Sequence, residues 1–359
     1  MKIALVGKRY YTNNDLIEAR YGRLYHFPYQ WQKAGDEILF VAADYKTQVF
    51  EDFGLNGMCY ESVPFTNILR WYSRYVKKRL VDYQPDIIVA SCDSHFGYAA
   101  QRIARLLDVP FVFDLYHYYP DFGSNRIPGM KWMFQRAVAA ADLVACDSEV
   151  LRSKVVDVAR RVLVAQQGVD FDRFRPHDMQ GCRRELDLPS EQVLIGYTGS
   201  LDSRFDWQIL QATVDTLRAK GVSCSFVIAG PQVEKMDLEI DGVIYLGPQP
   251  QDRVVKIINA CDIMVLPYKK TPLSDTCNPS KLVEYIACEK PLVAADVSNI
   301  SELLSSVDNS IYAPGDHAGF ASCIHQQLLH PSRASKSLKM SWQSIALEYR
   351  RELEGLIVS

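Results

Sequence analysis

A single segment of the chain combines a phosphate-binding helix start with a positive side chain. The segment covers residues 276–294, where a short polar run precedes an apolar helical pattern. Asn278 can cap this helix, and Pro279 suits its first position, because that position leaves the missing N–H unused. The free amides of the first turn and the positive end of the helix dipole then face an anion beside Ser280 and Lys281.

The same segment offers an acceptor for sugar hydroxyl groups. Glu284 follows Lys281 by three residues, so the two side chains share one face of the predicted helix. A carboxylate can accept two hydrogen bonds from a vicinal diol such as that of ribose. A nucleoside diphosphate therefore fits both ends of the segment. An ordinary capped surface helix fits the same residues, and the rest of the chain has to separate the two.

Length and composition bound the class of protein. A chain of 359 residues predicts about two domains, because single cores stop growing at about 250 to 300 residues. A hydrophobic content of 48%, a charged content of 23% and a net charge of −3 are ordinary for a globular protein and give no general attraction to nucleic acid. The nine cysteines include no pair with metal-ligand spacing, so neither a disulfide framework nor a zinc site is indicated.

The amino terminus predicts a first strand and no export signal. Residues 1–7 are too short and too strand-like for a signal peptide, and no apolar run reaches 18 residues. We therefore expect a cytoplasmic protein, or one that binds peripherally to the inner face of a membrane.

Short apolar runs alternate with amphipathic stretches in both halves of the chain, which is the rhythm of parallel βαβ units. The runs lie at 2–6, 37–42, 86–90, 111–114, 143–146 and 162–165, and then at 193–197, 225–229, 243–246, 263–266, 292–295 and 310–312. Between the halves, residues 166–176 are rich in Gly, Pro and charge. The predicted fold class is α/β with two doubly wound domains. In the second half, Asp206 can cap a helix that contains Leu210 and Val214.

The order of several motifs resembles the family 4 glycosyltransferases with the GT-B fold. The marks lie at 142–149, 167–176, 195–200, 227–231, 260–267 and 279–291, so the resemblance covers nearly the whole chain. It implies two Rossmann-like domains that face a central cleft, with a sugar nucleotide held by the second. The implied domains are 1–168 on the acceptor side and 169–339 on the donor side, and a last helix at 340–359 crosses back to the first domain.

Departures from the family pattern concern the donor site. The family's usual pair of glutamates would place its first member at Thr276, so only Glu284 is retained. The segment is similar to a variant subgroup with Pro-x-Lys-x-x-Glu-Tyr, in which backbone amides supply more of the anchoring. The family also often carries an Arg after Gly199 and a Lys shortly afterwards, both on the diphosphate. Here Ser200 takes the first position, and Arg204 is the candidate for the second, with a solvated loop charge as the alternative.

The candidate catalytic residue lies in the first half of the chain. Residues 113–121 follow a predicted strand, so they fall at a carboxyl end of the sheet and are expected to face the cleft. The resemblance places a histidine near the donor sugar in this loop, and His117 matches it, since a neutral imidazole can donate to or accept from a sugar hydroxyl. A histidine within an aromatic cluster is the alternative. Asp114 and Asp121 rank below it, as bases for an inverting reaction.

The acceptor side has weaker candidates. The loop after the first strand lacks the glycine pattern that holds a dinucleotide, which argues against NAD. Tyr10, Tyr11 and Asn13 suit a sugar acceptor, because aromatic faces stack on pyranose rings and amides bind hydroxyls. Arg23 borders the same side. Plain loop chemistry explains these residues equally well.

A basic and aromatic stretch lies at residues 70–80, with five basic side chains and three aromatic ones at helical spacing. Such a helix can lie on an anionic bilayer. The alternative is an ordinary surface helix whose aromatic side packs on the sheet.

Taken together, these residues and the resemblance predict a glycosyltransferase that needs no metal and no cofactor, because fixed amides and cations can stabilise the growing negative charge of the leaving nucleoside diphosphate. It would move a sugar from a nucleoside-diphosphate sugar to a saccharide, lipid-linked or small-molecule acceptor, with retention as the resemblance implies. The diphosphate is assigned to Ser280 and Lys281, the ribose to Glu284, and the transferred sugar to the vicinity of His117. Two alternatives stay open: a sugar-nucleotide epimerase on the same fold, and a non-enzymatic two-domain sugar-binding protein.

Overall fold

The chain divides into two compact units, each with its own hydrophobic core. The computed structural model describes residues 1–11, 14–65, 73–121, 127–276 and 278–358. The first unit comprises Met1–Gly168 and Ser341–Ser359, and the second comprises Val169–Met340. Both units are α/β structures, as the alternating pattern predicts.

The first unit is built on a sheet of mostly apolar strands. Its strands are β1 (Lys2–Lys8), β2 (Tyr10–Tyr11), β3 (Asn14–Asp15), β4 (Glu37–Asp44), β5 (Glu51–Leu55), β6 (Met58–Pro64), β7 (Ile87–Ser91), β8 (Phe111–Leu115), β9 (Leu143–Cys146) and β10 (Val162–Val164). Its first helices are α1 (Arg23–Lys33), α2 (Ser73–Tyr83), α3 (Ser94–Leu107), α4 (Met130–Ala140) and α5 (Glu149–Ser153). In the described residues the main sheet has the order β10-β9-β8-β7-β1-β4-β6-β5, and only β5 runs antiparallel to its neighbour.

The second unit has a simpler, fully parallel sheet. Its strands are β11 (Val193–Thr198), β12 (Cys224–Ala229), β13 (Val243–Tyr245), β14 (Ile263–Leu266), β15 (Leu292–Ala295) and β16 (Ile311–Tyr312). Its helices are α6 (Met179–Glu185), α7 (Ile209–Ala219), α8 (Gln251–Ala260), α9 (Ser280–Ala287), α10 (Ile300–Leu303) and α11 (His317–Leu329). The strand order β13-β12-β11-β14-β15-β16 is that of a Rossmann sheet, so the predicted doubly wound fold is confirmed.

The last helix, α12 (Trp342–Val358), belongs to the first unit and packs on α1. The indole N–H of Trp31 donates a 2.9 Å hydrogen bond to the carbonyl of Ala346. The ring of Tyr349 meets Trp31 edge-on, with 5.2 Å between centroids. Buried aromatic pairs of this kind add to the free energy gained from area burial. The prediction of a last helix that returns to the first domain is therefore confirmed.

Some elements differ from the sequence-based expectation. The strands β5 and β6 had no predicted counterpart, because charged residues interrupt the apolar pattern; Glu61 in β6 is buried and paired with Arg79. The helix α7 begins at Ile209 with Gln208 at its N-cap, so Asp206 does not cap it. Asp206 instead lies 3.8 Å from the Lys269 ammonium.

The helix α2 turns its aromatic side inward. The Tyr75 hydroxyl donates to the Glu61 carboxylate at 3.0 Å, and Arg79 pairs with the same carboxylate. Val76 and Leu80 are buried against the core. The packed surface helix, which was the alternative for this stretch, therefore describes residues 73–80, while residues 70–72 lie outside the described ranges. Of the helices in those ranges, none combines the length and apolarity needed to span a bilayer.

Two glycines in helices of the first unit predict opposite effects of the same substitution. A Cβ at Gly97 in α3 would lie 2.6 Å from the Phe113 ring, so Gly97→Ala should lower the free energy of unfolding by about 1 to 3 kcal/mol. A Cβ at Gly355 in α12 would meet no atom within 4 Å, so Gly355→Ala should raise it by up to about 1 kcal/mol. Thermal and denaturant unfolding of both variants tests the pair. Equal shifts in one direction would contradict the packing described for α3.

Candidate functional site

The helix α9 begins one residue later than the sequence predicts. Ser280 is its first residue, and Pro279 occupies the N-cap position with φ −72° and ψ 117°. The prediction that Asn278 caps the helix is therefore wrong, because proline's fixed φ suits the extended N-cap as well as the first turn. Asn278 precedes the cap and is 5% exposed. Pro279 has no side-chain acceptor, so it makes no side-chain cap for α9.

Two glycines at neighbouring strand ends let the backbone approach the start of α9. Gly199 follows β11 with φ 147°, and a Cβ there would lie 1.6 Å from Cε of Lys281. Gly230 follows β12 with φ 149°, and a Cβ there would lie 1.9 Å from the Gly199 carbonyl oxygen. The Lys281 side chain therefore lies directly over the backbone at the carboxyl end of β11. Open α/β sheets bind their ligands at these strand ends.

Tyrosine hydroxyls hold the two glycine loops in place. Tyr285 in α9 accepts a 2.9 Å hydrogen bond from the Thr198 amide, which ties the helix to the end of β11. The Tyr245 hydroxyl donates to the Gly230 carbonyl at 2.7 Å. The hydroxyl of Tyr197 donates to the carbonyl of Ser200 at 3.0 Å. Sequence reasoning assigned no role to these tyrosines, although Tyr285 follows Glu284 directly in the motif.

The Glu284 carboxylate is buried one turn deeper in α9, with 8% of the residue exposed. Burial raises the pKa of this carboxyl to about 7, against the opposing positive charges of Lys281 and Arg173. Arg173 comes from the linker at 166–176 and was not predicted as a site residue. Its Nε lies 3.5 Å from a carboxylate oxygen of Asp252. A buried carboxylate beside two cations is suited to accept hydrogen bonds from hydroxyl groups.

The loop after β11 contains a second charged pair. Arg204 donates to Asp202 through Nε at 2.9 Å and through Nη2 at 2.6 Å. Burial acts to raise the pKa of Asp202, but the hydrogen bonds and charge of Arg204, with a contribution from Lys281, outweigh it and lower the pKa. The Arg204 guanidinium also lies 5.7 Å from the centre of the Tyr268 ring. Arg204 is therefore held in a partly buried position rather than being a solvated loop charge.

In the first unit, His117 lies just after β8, as predicted, and is 8% exposed. Its ring centre lies 6.2 Å from that of Tyr116 and 6.3 Å from that of Tyr119. The surroundings are therefore the aromatic cluster that the sequence suggested as the alternative, and this setting alone does not assign a reaction role. Asp121 ends the short helical turn Tyr119–Asp121 and is partly exposed.

Two of the predicted residues form a buried ion pair instead. Arg23 is 0% exposed, and its Nη2 donates to Asp114 at 2.6 Å. Burial raises the pKa of Asp114, opposed by Arg23 and by the Ser91 hydroxyl. The predictions of Arg23 at the acceptor side and of Asp114 as a base are therefore corrected: each charge is needed to neutralise the other away from water.

The prediction that Tyr10 stacks on the acceptor is also corrected. Tyr10 is 5% exposed and meets the Tyr45 ring edge-on at 5.9 Å. The cationic groups of Arg9 and Lys46 lie 5.4 Å and 5.3 Å from its ring centre. Its ring is therefore already in contact with neighbours. The predictions for Asn13 and for the Tyr11 side chain fall outside the described residues.

Among the described residues, one group has ligand atoms close enough for a metal ion, namely Asp52, Cys59 and Glu61. Glu61 already binds Arg79 and Tyr75, so its negative charge is in use. This group lies on β5 and β6 of the first unit, whereas α9 belongs to the second.

Two family models match the chain over separate stretches. The one described as "Glycosyltransferase Family 4" matches residues 24–173, and the one described as "Glycosyl transferases group 1" matches residues 192–330. Together the two matches span most of both units.

The individual relatives are distant in sequence, and their names all describe glycosyl transfer. The 2-deoxystreptamine glucosyltransferase of Streptomyces kanamyceticus is 23% identical over 269 residues, which is 68% of each protein. The sulfoquinovosyl transferase SQD2 of Arabidopsis thaliana is 21% identical over 363 residues, covering 92% of this chain and 69% of that one. The D-inositol 3-phosphate glycosyltransferase of Stackebrandtia nassauensis is 24% identical over 224 residues, and the chain spans about half of it, 49%.

A solved structure, Anabaena Alr3699/HepE in complex with UDP, has the same fold. It is 16% identical with a TM-score of 0.76, and the match covers 99% of this chain and 100% of that one. A second, the sucrose-phosphate synthase of Thermosynechococcus elongatus, is 14% identical with a TM-score of 0.70 over 99% of this chain and 94% of that one. These structures show the GT-B fold, and the two family matches identify the chain as a member of the family 4-like glycosyltransferases.

Proposed function

We propose that this glycosyltransferase takes its sugar from a nucleoside-diphosphate donor bound at the start of α9. One observation supports this most directly: Lys281 lies over Gly199 at a strand end, and Glu284 is buried one turn deeper in the same helix. The diphosphate would contact the α9 amides and Lys281, and the ribose hydroxyls would donate to Glu284. The donor thus spans a cationic end and a carboxylate end.

Catalysis at such a site depends on stabilising the leaving group. The nucleoside diphosphate gains negative charge as the bond to the sugar breaks, and fixed amides with a nearby ammonium group stabilise that charge in place. We propose that no metal and no cofactor are needed for this step, because Lys281 and the helix dipole supply the positive charge. The UDP in the HepE complex makes UDP the first nucleotide to test.

For the transferred sugar, the acceptor and the anomeric outcome, we propose what the likeness to the family implies. The transferred sugar would lie near His117, whose imidazole would orient a sugar hydroxyl. The acceptor would be a saccharide, a lipid-linked sugar or a small molecule, and the transfer would retain the anomeric configuration.

For α2 we propose an attraction to anionic membranes that depends on charge alone. Arg74, Lys77 and Lys78 are exposed, while the inward Tyr75 and Arg79 no longer contribute to a membrane face. Charge without apolar insertion gives a weak attraction that salt screens. We therefore propose only an electrostatic contribution from α2.

Substitutions in α9 should weaken donor binding by two different mechanisms. Glu284→Gln keeps the shape but loses the charge that strengthens hydrogen bonds from ribose, so nucleoside and nucleoside diphosphate should both lose about 1.5 to 3 kcal/mol. Lys281→Ala removes a cation from the diphosphate, so its loss should be larger for the diphosphate than for the nucleoside and should shrink as salt rises. Calorimetric titration with uridine and UDP at about pH 8, where the Glu284 carboxylate is charged, measures both effects.

The control for these titrations is Lys220→Ala, which removes an exposed lysine of the same unit. This control variant should leave the affinities for uridine and UDP unchanged.

A thermal-shift series with UDP, GDP, dTDP and ADP should precede the titrations, because a ligand at 100 times its dissociation constant adds about 2.7 kcal/mol to stability. If folded Glu284→Gln and Lys281→Ala bind both ligands as the parent does, the start of α9 is only a helix end.

The raised pKa of Glu284 predicts a pH dependence with a defined sign. The folded protein holds the carboxyl proton up to about pH 7, whereas the unfolded chain releases it near the ordinary value of 4.5. The stability of the parent relative to Glu284→Gln should therefore fall as pH rises through this window, by up to about 3 kcal/mol. Denaturant unfolding of both proteins between about pH 4.5 and 7 measures this change in stability.

The affinity for uridine should rise through about pH 7 in the parent only, because the charged carboxylate accepts stronger hydrogen bonds. Parallel pH profiles of affinity for the two proteins would show that Glu284 does not titrate there.

The proposed role of His117 separates turnover from donor affinity. His117→Ala should lower turnover by about 10²-fold or more, within the range of a lost proton-transfer or orienting group, with little change in UDP affinity. Steady-state kinetics with calorimetry of the same preparation tests this. A collapse of UDP affinity with turnover per bound donor preserved would rule out the role.

A further inference from the structure

The helices α3 and α4 form a surface of unusual charge for this chain. The protein contains 43 acidic residues and has a net charge of −3, yet neither helix contains an Asp or a Glu. Their basic residues are Arg102, Arg105, Lys131 and Arg136. In the described part of the chain, none of these four lies within ion-pair distance of a carboxylate. All four are exposed, so their positive charge faces solvent outside any ion pair among the described residues.

The same surface exposes large apolar side chains. Trp132 in α4 is 52% exposed, and Leu106 in α3 is 56% exposed. Ile127, at the turn before α4, is 60% exposed. An exposed tryptophan beside exposed aliphatic residues is uncommon on a surface that meets only water, and contiguous apolar patches of this kind mark interaction sites.

The charged and apolar groups belong to one continuous face. The rings of Tyr98 and Trp132 lie 5.2 Å apart, and the Arg102 guanidinium lies 5.9 Å from the centre of the Tyr98 ring. Tyr98, Arg102 and Leu106 follow each other at intervals of four along α3, so they share one side of the helix. Trp132 and Arg136 have the same spacing in α4, and the two helices pack side by side. We call these five residues the α3–α4 face.

The buried sides of both helices point the other way. Phe96, Ala100 and Ile103 of α3, and Phe134 and Val138 of α4, are at most 5% exposed and belong to the core of the first unit. The α3–α4 face is therefore separate from the side of each helix that packs into the core. It is a second apolar side on helices that already have one.

We infer that the α3–α4 face docks on an anionic lipid bilayer. Tryptophan and leucine insert at the level of the lipid headgroups, and arginine stems cover apolar surface while their guanidinium groups stay with the phosphates. A face with a single sign of charge and no acidic partner matches a surface of uniform negative charge. This docking is independent of the proposed donor chemistry and differs in place from α2.

The test compares surfaces with matched charge changes in the full chain. The vesicles are pure phosphatidylcholine, or equal parts of phosphatidylcholine and phosphatidylglycerol. The parent should sediment with the mixed vesicles only. Arg102→Glu with Arg136→Glu should lower partitioning at least about thirtyfold, and Trp132→Ser with Leu106→Ser should lower it at unchanged charge. The control Lys220→Glu with Arg333→Glu, which reverses two exposed charges of the second unit, should bind nearly as the parent does.

A second measurement asks whether Trp132 enters the bilayer. The chain has four other tryptophans, and Trp71→Phe with Trp207→Phe, introduced into every protein compared, removes two of them. Trp31 and Trp342 are 1% and 6% exposed, so they are shielded from quenchers in the lipid. Brominated lipid should therefore quench the parent fluorescence, and Trp132→Phe should lose most of that quenching. UDP thermal shifts of all variants report on the donor site separately, so a failure there would not be mistaken for a failure here.

Other outcomes overturn the inference. If Arg74→Glu with Lys77→Glu on α2 abolishes vesicle binding while the α3–α4 variants keep it, the membrane surface is α2. If the parent ignores mixed vesicles, or if Trp132 is not quenched, the α3–α4 face does not dock on lipid. In either case an acidic protein becomes the partner that the charge of this face fits.

Discussion

The burial of the Glu284 carboxylate is the constraint on which the donor site depends. Water would stabilise this charge better than the protein does, and the raised pKa expresses that cost. Lys281 and Arg173 offset part of this cost, one from α9 and one from the first residues of the second unit. A carboxylate that is buried away from water forms strong hydrogen bonds with any hydroxyl group that reaches it. The cost of burying this charge and the strength of its hydrogen bonds to a ligand therefore have one origin.

The approach of Lys281 to the strand ends depends on glycine. A Cβ at Gly199 would overlap the Lys281 stem, and a Cβ at Gly230 would overlap the Gly199 backbone itself. The first overlap involves a flexible side chain that could move, whereas the second involves backbone that cannot move without shifting β11. The geometry is thus fixed by Gly230 and by the Tyr285 hydroxyl, which binds the end of β11 from within α9. The positions of the site residues follow from these few backbone contacts.

The sequence predicted the elements whose signals are local. Apolar runs found the buried parallel strands, because both faces of such strands are covered and the pattern is continuous. It missed β5 and β6, where Glu61 is tolerated only because Arg79 reaches it from α2. The same limit applies at the site. Lys281 and Glu284 were predicted because they are close in sequence, but Arg173 and Tyr285 act through contacts across the fold that no spacing reveals.

The buried pair Arg23–Asp114 bears on the stereochemical course of transfer. An inverting reaction needs a base that gains a proton, and Asp114 was one candidate in the loop that contains His117. Protonating Asp114 would leave Arg23, which is 0% exposed, as an uncompensated buried charge, at a cost of about 3 to 5 kcal/mol. That cost would be added to the barrier at the moment of reaction. The ion pair therefore disfavours inversion through Asp114, while the proposal of retention rests on family likeness alone.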